Sequence, residues 1–401
     1  MTPRSALVRS MLSTAEGLRR DLRAAFGPAF GVRPAVFSRR DGRAWGDAGA
    51  LAPRPLVVKA LHRPTPDAVV ITLADPSGAP ISVFPGQFFT LHVPIDGAVL
   101  RRAYSLCSEA WGPVPEVQVC VKRVSGGRVS GFLVDTLTVG ARLDVHGPSG
   151  DYGLRPEGPA PSQLVLLSGG SGVTPHLGMI RAALRHLPQT SITFVYGSRS
   201  PAQALFLDEL RALAASYPHR LTLRLFVDDP EGEVWDGGVG PLTEAQITEA
   251  LAGHAAFTDP AAWFGVCGPE AMSEGAVRAL RQLGAPEASV HVERFTAGAR
   301  PVSADAPGLR DPQPVTLRRG DQTSTFTALP GKTLLESAVA AGVRLPWSCG
   351  MGGCGACKVR RVSGDVVMQE PNCLSAAERG AGDTLTCVGY AAGPLTLEHH
   401  P

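Results

Sequence analysis

The chain has 401 residues, 44% of them hydrophobic and 18% charged, the balance of a globular protein rather than a disordered one. Its length calls for about two to four domains. A formal net charge of +2 excludes the strong basic field of a nucleic-acid or anionic-membrane binder, and no apolar run reaches the ~18 residues that a membrane-spanning helix needs.

At the start of the chain, Leu7, Met11, Leu18, Leu22 and Phe26 recur at helical spacing and stop at Gly27-Pro28. Such a helix either packs on a neighbouring domain or docks on a partner or membrane surface. The stretch has no continuous apolar core of a secretory signal, and its Arg-rich bias is shared by the whole chain, so the expected compartment is the cytoplasm. From Arg33 to Pro55 the residues are rich in Gly, Pro and charge, and residues 1–54 are read as a helical extension and connector.

Between residues 55 and 156, short β-patterned runs such as "AVVITLA", "QFFTLHV" and "VQVCVKR" alternate with Gly/Pro turns, which indicates an antiparallel barrel or sandwich. One run ends in "RAYSLCS". A flavin needs a cation for its phosphate, an aromatic face for its ring system and a hydrogen-bonding group near its reactive nitrogen. Arg102, Tyr104 and Ser105 offer all three on one extended strand, where alternate side chains share a face. A strand edge with a structural tyrosine would read the same, but Gly127-x-x-Ser130 follows in "VSGGRVSGFL". A glycine turn that opens a helix presents N–H groups and a dipole to a pyrophosphate.

Residues 157–296 change pattern: "QLVLLSGGSGVTPHLGMIRAALRHL" runs from a buried strand through a Gly-rich turn into a helix, and further strands and helices alternate after it. That alternation predicts a doubly wound parallel sheet. Residues 297–313, Pro- and Ala-rich, read as a linker. The last stretch, 314–401, carries strand-like runs around the helix "TLLESAVAAG" and a cysteine loop.

Of eight cysteines, Cys107, Cys120 and Cys267 lie singly, as small buried residues do, and the other five follow residue 348. Cys349, Cys354 and Cys357 form C-x4-C-x2-C, with Cys387 much later, the spacing with which plant-type [2Fe-2S] ferredoxins hold two irons. The glycines between them allow the tight turns that point N–H groups at sulfur. Zinc would favour two C-x2-C pairs, and a disulfide would need an oxidising compartment. Cys373 falls outside the pattern, and the terminal pair His399-His400 reads as a solvated tail.

The ordered series RxYS, GxxS, "GGSGVTP" and "VCGPEAM", ending in the cysteine loop, resembles the ferredoxin–NADP+ reductase superfamily, in the branch with a fused plant-type ferredoxin. Reductase components of phenylacetyl-CoA epoxidase and 3-ketosteroid hydroxylase are of this kind. The resemblance spans about residues 55–401 and implies a multidomain chain: an antiparallel β-barrel flavin domain, an α/β doubly wound nucleotide domain and an α+β β-grasp ferredoxin domain. It further implies FAD rather than FMN, with Tyr104 stacked on the ring, Ser105 at N5, Arg102 on phosphate, and Gly127 and Ser130 at the pyrophosphate. Gly169, Gly170, Gly172, Thr174 and Pro175 would cradle the nicotinamide dinucleotide, and Cys267, Gly268 and Pro269 would lie beside the nicotinamide. Tyr104, Ser105 and Cys267 would thus be the residues at the chemistry. Ser198, Arg199 and Ser200 stand where a ribose 2′-phosphate or a free hydroxyl is read; a guanidinium there favours NADPH, with NADH the alternative.

These readings converge on electron transfer from NAD(P)H through FAD and a [2Fe-2S] cluster to a separate acceptor, expected to be a non-haem iron oxygenase, hydroxylase or desaturase. Two other functions use the same motifs: a stand-alone flavin-dependent reductase of a small oxidant, and an iron–sulfur redox sensor that binds a partner.

Overall fold

The structure, a computed structural model, describes residues 53–150, 152–295, 309–347, 349–353, 355–369, 372–374 and 376–399. The expected helix from Leu7 to Phe26, its connector, most of the linker, and Cys354 and His400 lie outside the described residues.

Eight strands open the described chain: β1 (Arg54–Thr65), β2 (Ala68–Ala74), β3 (Ile81–Val83), β4 (Phe88–Ile95), β5 (Ala98–Ser105), β6 (Gly112–Val114), β7 (Glu116–Lys122) and β8 (Arg142–Ser149). Six of them form an antiparallel sheet in the order β5-β4-β8-β1-β2-β7. A bridge from Leu106, just past β5, to Val119 of β7 brings the sheet's two edges together in a barrel. Register shifts in β1 and between Phe88 and Thr90 of β4 bend the strands enough to close it. β3 and β6 form a separate antiparallel pair.

Alternation sets the barrel's inside: Phe89, Leu91 and Val93 of β4 join Leu56, Ile71, Val117 and Val145 in its core. The outward residues of β4 should then be wet. Phe88, Thr90 and His92 are buried instead: Phe88 and Thr90 lie against the cysteine-bearing end of the chain, and His92 against His146.

The second sheet, β9 (Gln163–Gly169), β10 (Ser191–Ser198), β11 (Leu221–Val227), β12 (Gly238–Val239), β13 (Trp263–Cys267) and β14 (Val290–Glu293), is parallel throughout, in the order β12-β11-β10-β9-β13-β14. Helices Val173–His186 and Leu207–Ser216 pack on one face, Glu244–Leu251 and Glu270–Gln282 on the other. The chain winds outward from β9 to β12 and returns on the other side of β9 as β13. The strand order therefore reverses between β9 and β13, and ligands of such sheets bind at the carboxyl ends of the strands at that point. Barrel residues Ala68, Val70, Cys107 and Cys120 share one core with Leu164, Leu177, Phe194 and others of this sheet. Cys107 and Cys120, two of the three single cysteines, are thus packing residues.

The third sheet has the order β16-β15-β21-β17-β19, from β15 (Gln313–Arg319), β16 (Gln322–Ala328), β17 (Lys358–Ser363), β19 (Asp383–Leu385) and β21 (Leu395–Glu398). β15 and β21 run parallel, the other pairs antiparallel, and β18 (Val366–Met368) pairs with β20 (Gly389–Ala391). Helix Leu334–Ala340 packs over this sheet, started by a capping box in which Thr333 and Glu336 exchange side-chain and backbone bonds. His399 departs from the expected solvated tail: it is 1% exposed, and its N–H donates to the carbonyl of Arg318, extending the β21–β15 pairing.

Candidate functional site

Two of the sequence-marked groups meet at backbone distance. At the end of β9, Gly170 has φ +54° with open space where a side chain would project. A Cβ on Gly172 would lie 2.0 Å from the carbonyl oxygen of Cys267, one on Gly268 would lie 2.1 Å from Met272 Cε, and one on Gly169 would lie 2.7 Å from Pro269 Cδ. Gly169–Gly172 and Cys267–Pro269 therefore press together where the strand order reverses; Gly169, Gly172 and Gly268 are needed for the contact and Gly170 for its φ. No side chain caps helix Val173–His186 or helix Glu270–Gln282, which leaves their first N–H groups to a ligand. The Thr174 hydroxyl donates to Ser171 O at 3.0 Å, so it shapes the turn.

The glycine turn is held from beneath by residues that the motifs do not include. Tyr196 OH donates to Gly170 O (3.2 Å) and accepts from Leu205 N–H (3.1 Å). Ser168 Oγ donates to Gly172 O at 3.1 Å and lies 2.6 Å from His176 Nδ1. His176 Nε2 in turn meets Tyr152 OH, from the segment that leaves the barrel. Burial pulls the His176 pKa down to about 3, so the ring is neutral and bonds through both nitrogens.

In the barrel, Arg102 and Tyr104 of β5 stand opposite Leu91 and Phe89 of β4, and Ser105 stands opposite Phe88. Strand alternation sends Ser105 to the face opposite Tyr104. Tyr104 is partly buried against the barrel core, and burial raises its phenol above the ordinary range. Gly127 precedes helix Arg128–Thr136 without a side-chain cap. Ser130 Oγ donates to Gly127 O (3.3 Å) and accepts from Val124 N–H (3.1 Å), and a Cβ on Gly127 would lie 2.5 Å from it. The serine therefore orders the turn, and no side chain caps the first N–H groups of the helix.

Barrel and parallel sheet are locked just past Ser105. A Cβ on Gly178 would come within 2.9 Å of Leu106 O, Arg181 donates to Cys107 O at 2.6 Å, and Arg181 pairs with Glu209 through two hydrogen bonds of 2.7 Å. The helix that begins at the glycine turn thus leans on the strand that carries Tyr104 and Ser105. Cys267 is fully buried and its thiol is raised well above the usual range by burial, then by Glu293, its register partner on β14. Glu293 is itself pushed up to about 8 by burial and by Cys349.

At the carboxyl end of β10, on the same edge of the parallel sheet as the glycine turn, Ser198 is buried and Arg199 exposed. The N–H groups of Asp228 and Asp229 donate to the carbonyls of Ser198 and Arg199, which puts two acids at a place the linear sequence leaves without one. The Ser200 hydroxyl is buried without a hydrogen-bond partner.

The cysteine loop follows Trp347. Cys357 Sγ and Cys387 Sγ are 3.2 Å apart, Gly352 N–H donates to Cys387 Sγ at 3.3 Å, and Met351 N–H points at Cys349 Sγ at 3.5 Å. The Cys387 thiol is raised well above its usual range, by Cys349 first, then Cys357 and burial. Crowded and buried, these thiols resist ionising together unless a metal's positive charge lies among them. Gly350, Gly352 and Gly355 take φ of +65°, +79° and +73°, which turns N–H groups toward sulfur. The described donors Cys349, Cys357 and Cys387 and the glycines among them fit a [2Fe-2S] cluster. Cys373 is partly buried beside the loop: its N–H donates to Gly352 O at 2.9 Å, and its thiol is pushed up to about 12, by burial first. Outside the loop, Lys358 bonds Glu378, Arg360 bonds Asp383 and Arg361 bonds Asp365, so the basic residues there are paired locally.

The cysteine loop lies on the barrel. Phe88, Cys349 and Met351 form a buried apolar cluster, and Thr90 Oγ1 donates to Cys349 O at 3.1 Å. Beside them, Trp347 meets the edge of His146 at 5.4 Å, and His146 Nδ1 is 2.9 Å from His92 Nε2. None of Phe88, Thr90, His146 or Glu293 carries a sequence signal; the buried outer face of "FFTLHV" was the nearest to one.

Comparisons with known proteins agree with this division. Residues 57–153 match the family model "Oxidoreductase FAD-binding domain", residues 166–278 "Oxidoreductase NAD-binding domain" and residues 318–392 "2Fe-2S iron-sulfur cluster binding domain". The chain is 31% identical over 348 residues to a component of the 1,2-phenylacetyl-CoA epoxidase of Escherichia coli K12, covering 86% of this chain and 95% of that protein. It is 33% identical over 313 residues to the ferredoxin reductase component of 3-ketosteroid-9-alpha-monooxygenase of Mycobacterium tuberculosis, covering 76% of this chain and 81% of that one. The solved structure of phthalate dioxygenase reductase superposes with a TM-score of 0.57 at 26% identity, over 88% of this chain and all of that one. Among the described residues no helix is long and apolar enough to cross a membrane. The chain belongs to the ferredoxin–NADP+ reductase superfamily, in the family of oxidoreductase components of oxygenase systems that join FAD-, NAD(P)- and [2Fe-2S]-binding domains in one polypeptide.

Proposed function

We propose that this chain is the NAD(P)H-dependent reductase of a non-haem iron oxygenase, hydroxylase or desaturase, acting in the cytoplasm and handing electrons on one at a time. A flavin can accept two electrons together and release them singly, which joins a hydride donor to a one-electron centre. The observation that carries the reading is the contact of Phe88 and Thr90 with Cys349: the strand beside Tyr104 and Ser105 touches the cysteine loop directly.

In this reading Arg102, Tyr104 and Ser105 hold the flavin, and Gly127 with the turn that Ser130 orders receives its pyrophosphate. Gly169, Gly170, Gly172, Thr174 and Pro175 seat the nicotinamide nucleotide, and Cys267, Gly268 and Pro269 shape the wall beside its ring. The raised Cys267 thiol stays protonated and apolar, so it orients and excludes water rather than attacks. Arg199, with Ser198 and the unpartnered Ser200 hydroxyl, reads a 2′-phosphate, which makes NADPH the preferred donor; Asp228 and Asp229 are the residues that would favour NADH. Cys349, Cys354, Cys357 and Cys387 bind the cluster. The modules run over residues 55–156, 157–296 and 314–401, with 297–313 as linker and 1–54 as an N-terminal extension and connector.

Mixing the purified protein with a candidate iron oxygenase under single-turnover conditions tests the reading. Stoichiometric reduction of the oxygenase, with slow NADPH consumption in its absence, is the expected result. Rapid turnover of a small oxidant with no partner, and none delivered to an oxygenase, would overturn it.

A further inference from the structure

On the outward side of β4 the alternate residues Phe88, Thr90 and His92 are all buried, and each touches or leads to the cysteine module. Phe88 packs on Cys349 and Met351, Thr90 bonds Cys349 O, and His92 bonds His146, which meets Trp347. The neighbouring strand adds Arg101, 4.0 Å from Glu336 on the partly exposed rim. Of these polar contacts, only the Thr90 bond reaches a residue that the cysteine spacing marks as a ligand. Thr90 is fully buried, so its hydroxyl has no water to fall back on, and Cys349 O would lose this donor if the module shifted. Register places Thr90 opposite Ala103, next to Tyr104 and two residues from Ser105.

We infer that Thr90 is a positioning residue for electron transfer within this chain: its hydroxyl pins the Cys349 backbone to the strand pair that carries Tyr104 and Ser105, and Phe88 seals the join. The inference rests on the reading of Cys349 as a cluster ligand. In the reaction it serves, NAD(P)H gives up a hydride and becomes NAD(P)+. The hydride's two electrons leave singly past the Thr90–Cys349 join to two equivalents of a one-electron acceptor protein, and its proton passes to solvent. Thr90 forms and breaks no covalent bond. It sets how often, and how closely, the loop is seated.

The test uses the full-length holoprotein with Thr90→Val, which keeps the shape and removes the hydroxyl, and Thr90→Ser, which restores it. Stopped-flow absorbance with NADPH follows flavin bleaching and cluster reduction separately. Thr90→Val should leave flavin bleaching unchanged and slow cluster reduction roughly threefold to tenfold, the shift one net hydrogen bond commands in a seated–unseated equilibrium. The cluster's midpoint potential should not move, and Thr90→Ser should recover the rate. A second readout needs no turnover: in the oxidised protein, amide hydrogen exchange around Leu345–Met351 should quicken in Thr90→Val and return in Thr90→Ser, with Val117–Val121 in the barrel core unchanged. Equal cluster-reduction rates and equal exchange in wild type and Thr90→Val would overturn the inference. A shifted midpoint potential that accounts for the slowing would also overturn it. Absence of a cluster spectrum from the wild-type protein would instead sink the ligand reading beneath it.

Discussion

The α-carbon of Gly172 faces the carbonyl of Cys267 so closely that a methyl group on it would sit 2.0 Å from the oxygen. Backbone against backbone cannot yield as a flexible side chain can. Gly172→Ala should therefore spread β9 from β13 at the point where the two strands part, and cost about 1–3 kcal/mol of stability. Thermal unfolding should show the loss. Equilibrium titration with NADP+ should show weaker binding, with the flavin spectrum of the barrel unaffected.

His176 makes folding sensitive to acid. Its folded pKa, about 3, lies below the ordinary histidine value of 6.5 because the ring is buried. Between those values the unfolded chain binds a proton that the folded chain does not, so unfolding takes up protons and stability falls as pH falls. The stabilisation is complete above pH ~6.5 and is lost toward pH ~3. His176→Gln should lower stability at pH 7 and flatten the dependence on pH between about 6.5 and 4 by up to one proton. Denaturant midpoints measured across that range check the slope.

Cys387 and Cys373 separate a ligand from its neighbour. Cys387→Ser should abolish the visible spectrum of the cluster and electron delivery to a one-electron acceptor, while NADPH still bleaches the flavin at the wild-type rate. Cys373→Ser should keep the cluster spectrum, because its N–H bond to Gly352 O does not involve the thiol. Loss of the cluster in both variants would show that Cys373 belongs to the ligand set.

Arg199 is the exposed cation at the end of β10. Arg199→Ala should raise KM for NADPH about tenfold or more with little change in kcat, and leave KM for NADH nearly unchanged, since a guanidinium's two-point grip on a phosphate has no counterpart on a free hydroxyl. Equal losses with both donors would show that Arg199 contacts what they share.

What could be read from the sequence follows from how local each signal is. The strand–glycine–helix run of Gln163–His186 is a single-segment pattern, and the fold carries it as expected; the cysteine spacing is as local apart from Cys387, whose sulfur lies 3.2 Å from that of Cys357. Properties that depend on what covers a segment were hidden. Phe88 and Thr90 are buried by residues about 260 positions away, so "FFTLHV" reads as a two-sided strand with no stated cause. Asp228 and Asp229 reach the end of β10 only through the parallel pairing of β10 with β11. His399 looked like tail because nothing in its own neighbourhood shows that β15 would receive it.

Anaerobic titration of the purified protein with NADPH, followed by absorbance, tests the central claim most directly. An FAD takes two electrons and a [2Fe-2S] cluster one, so full reduction should need about one and a half NADPH per chain. The flavin bands and the broad cluster envelope between them should bleach together toward that end point. Flavin bands alone, bleached by a single equivalent with no iron–sulfur envelope beneath them, would contradict the account.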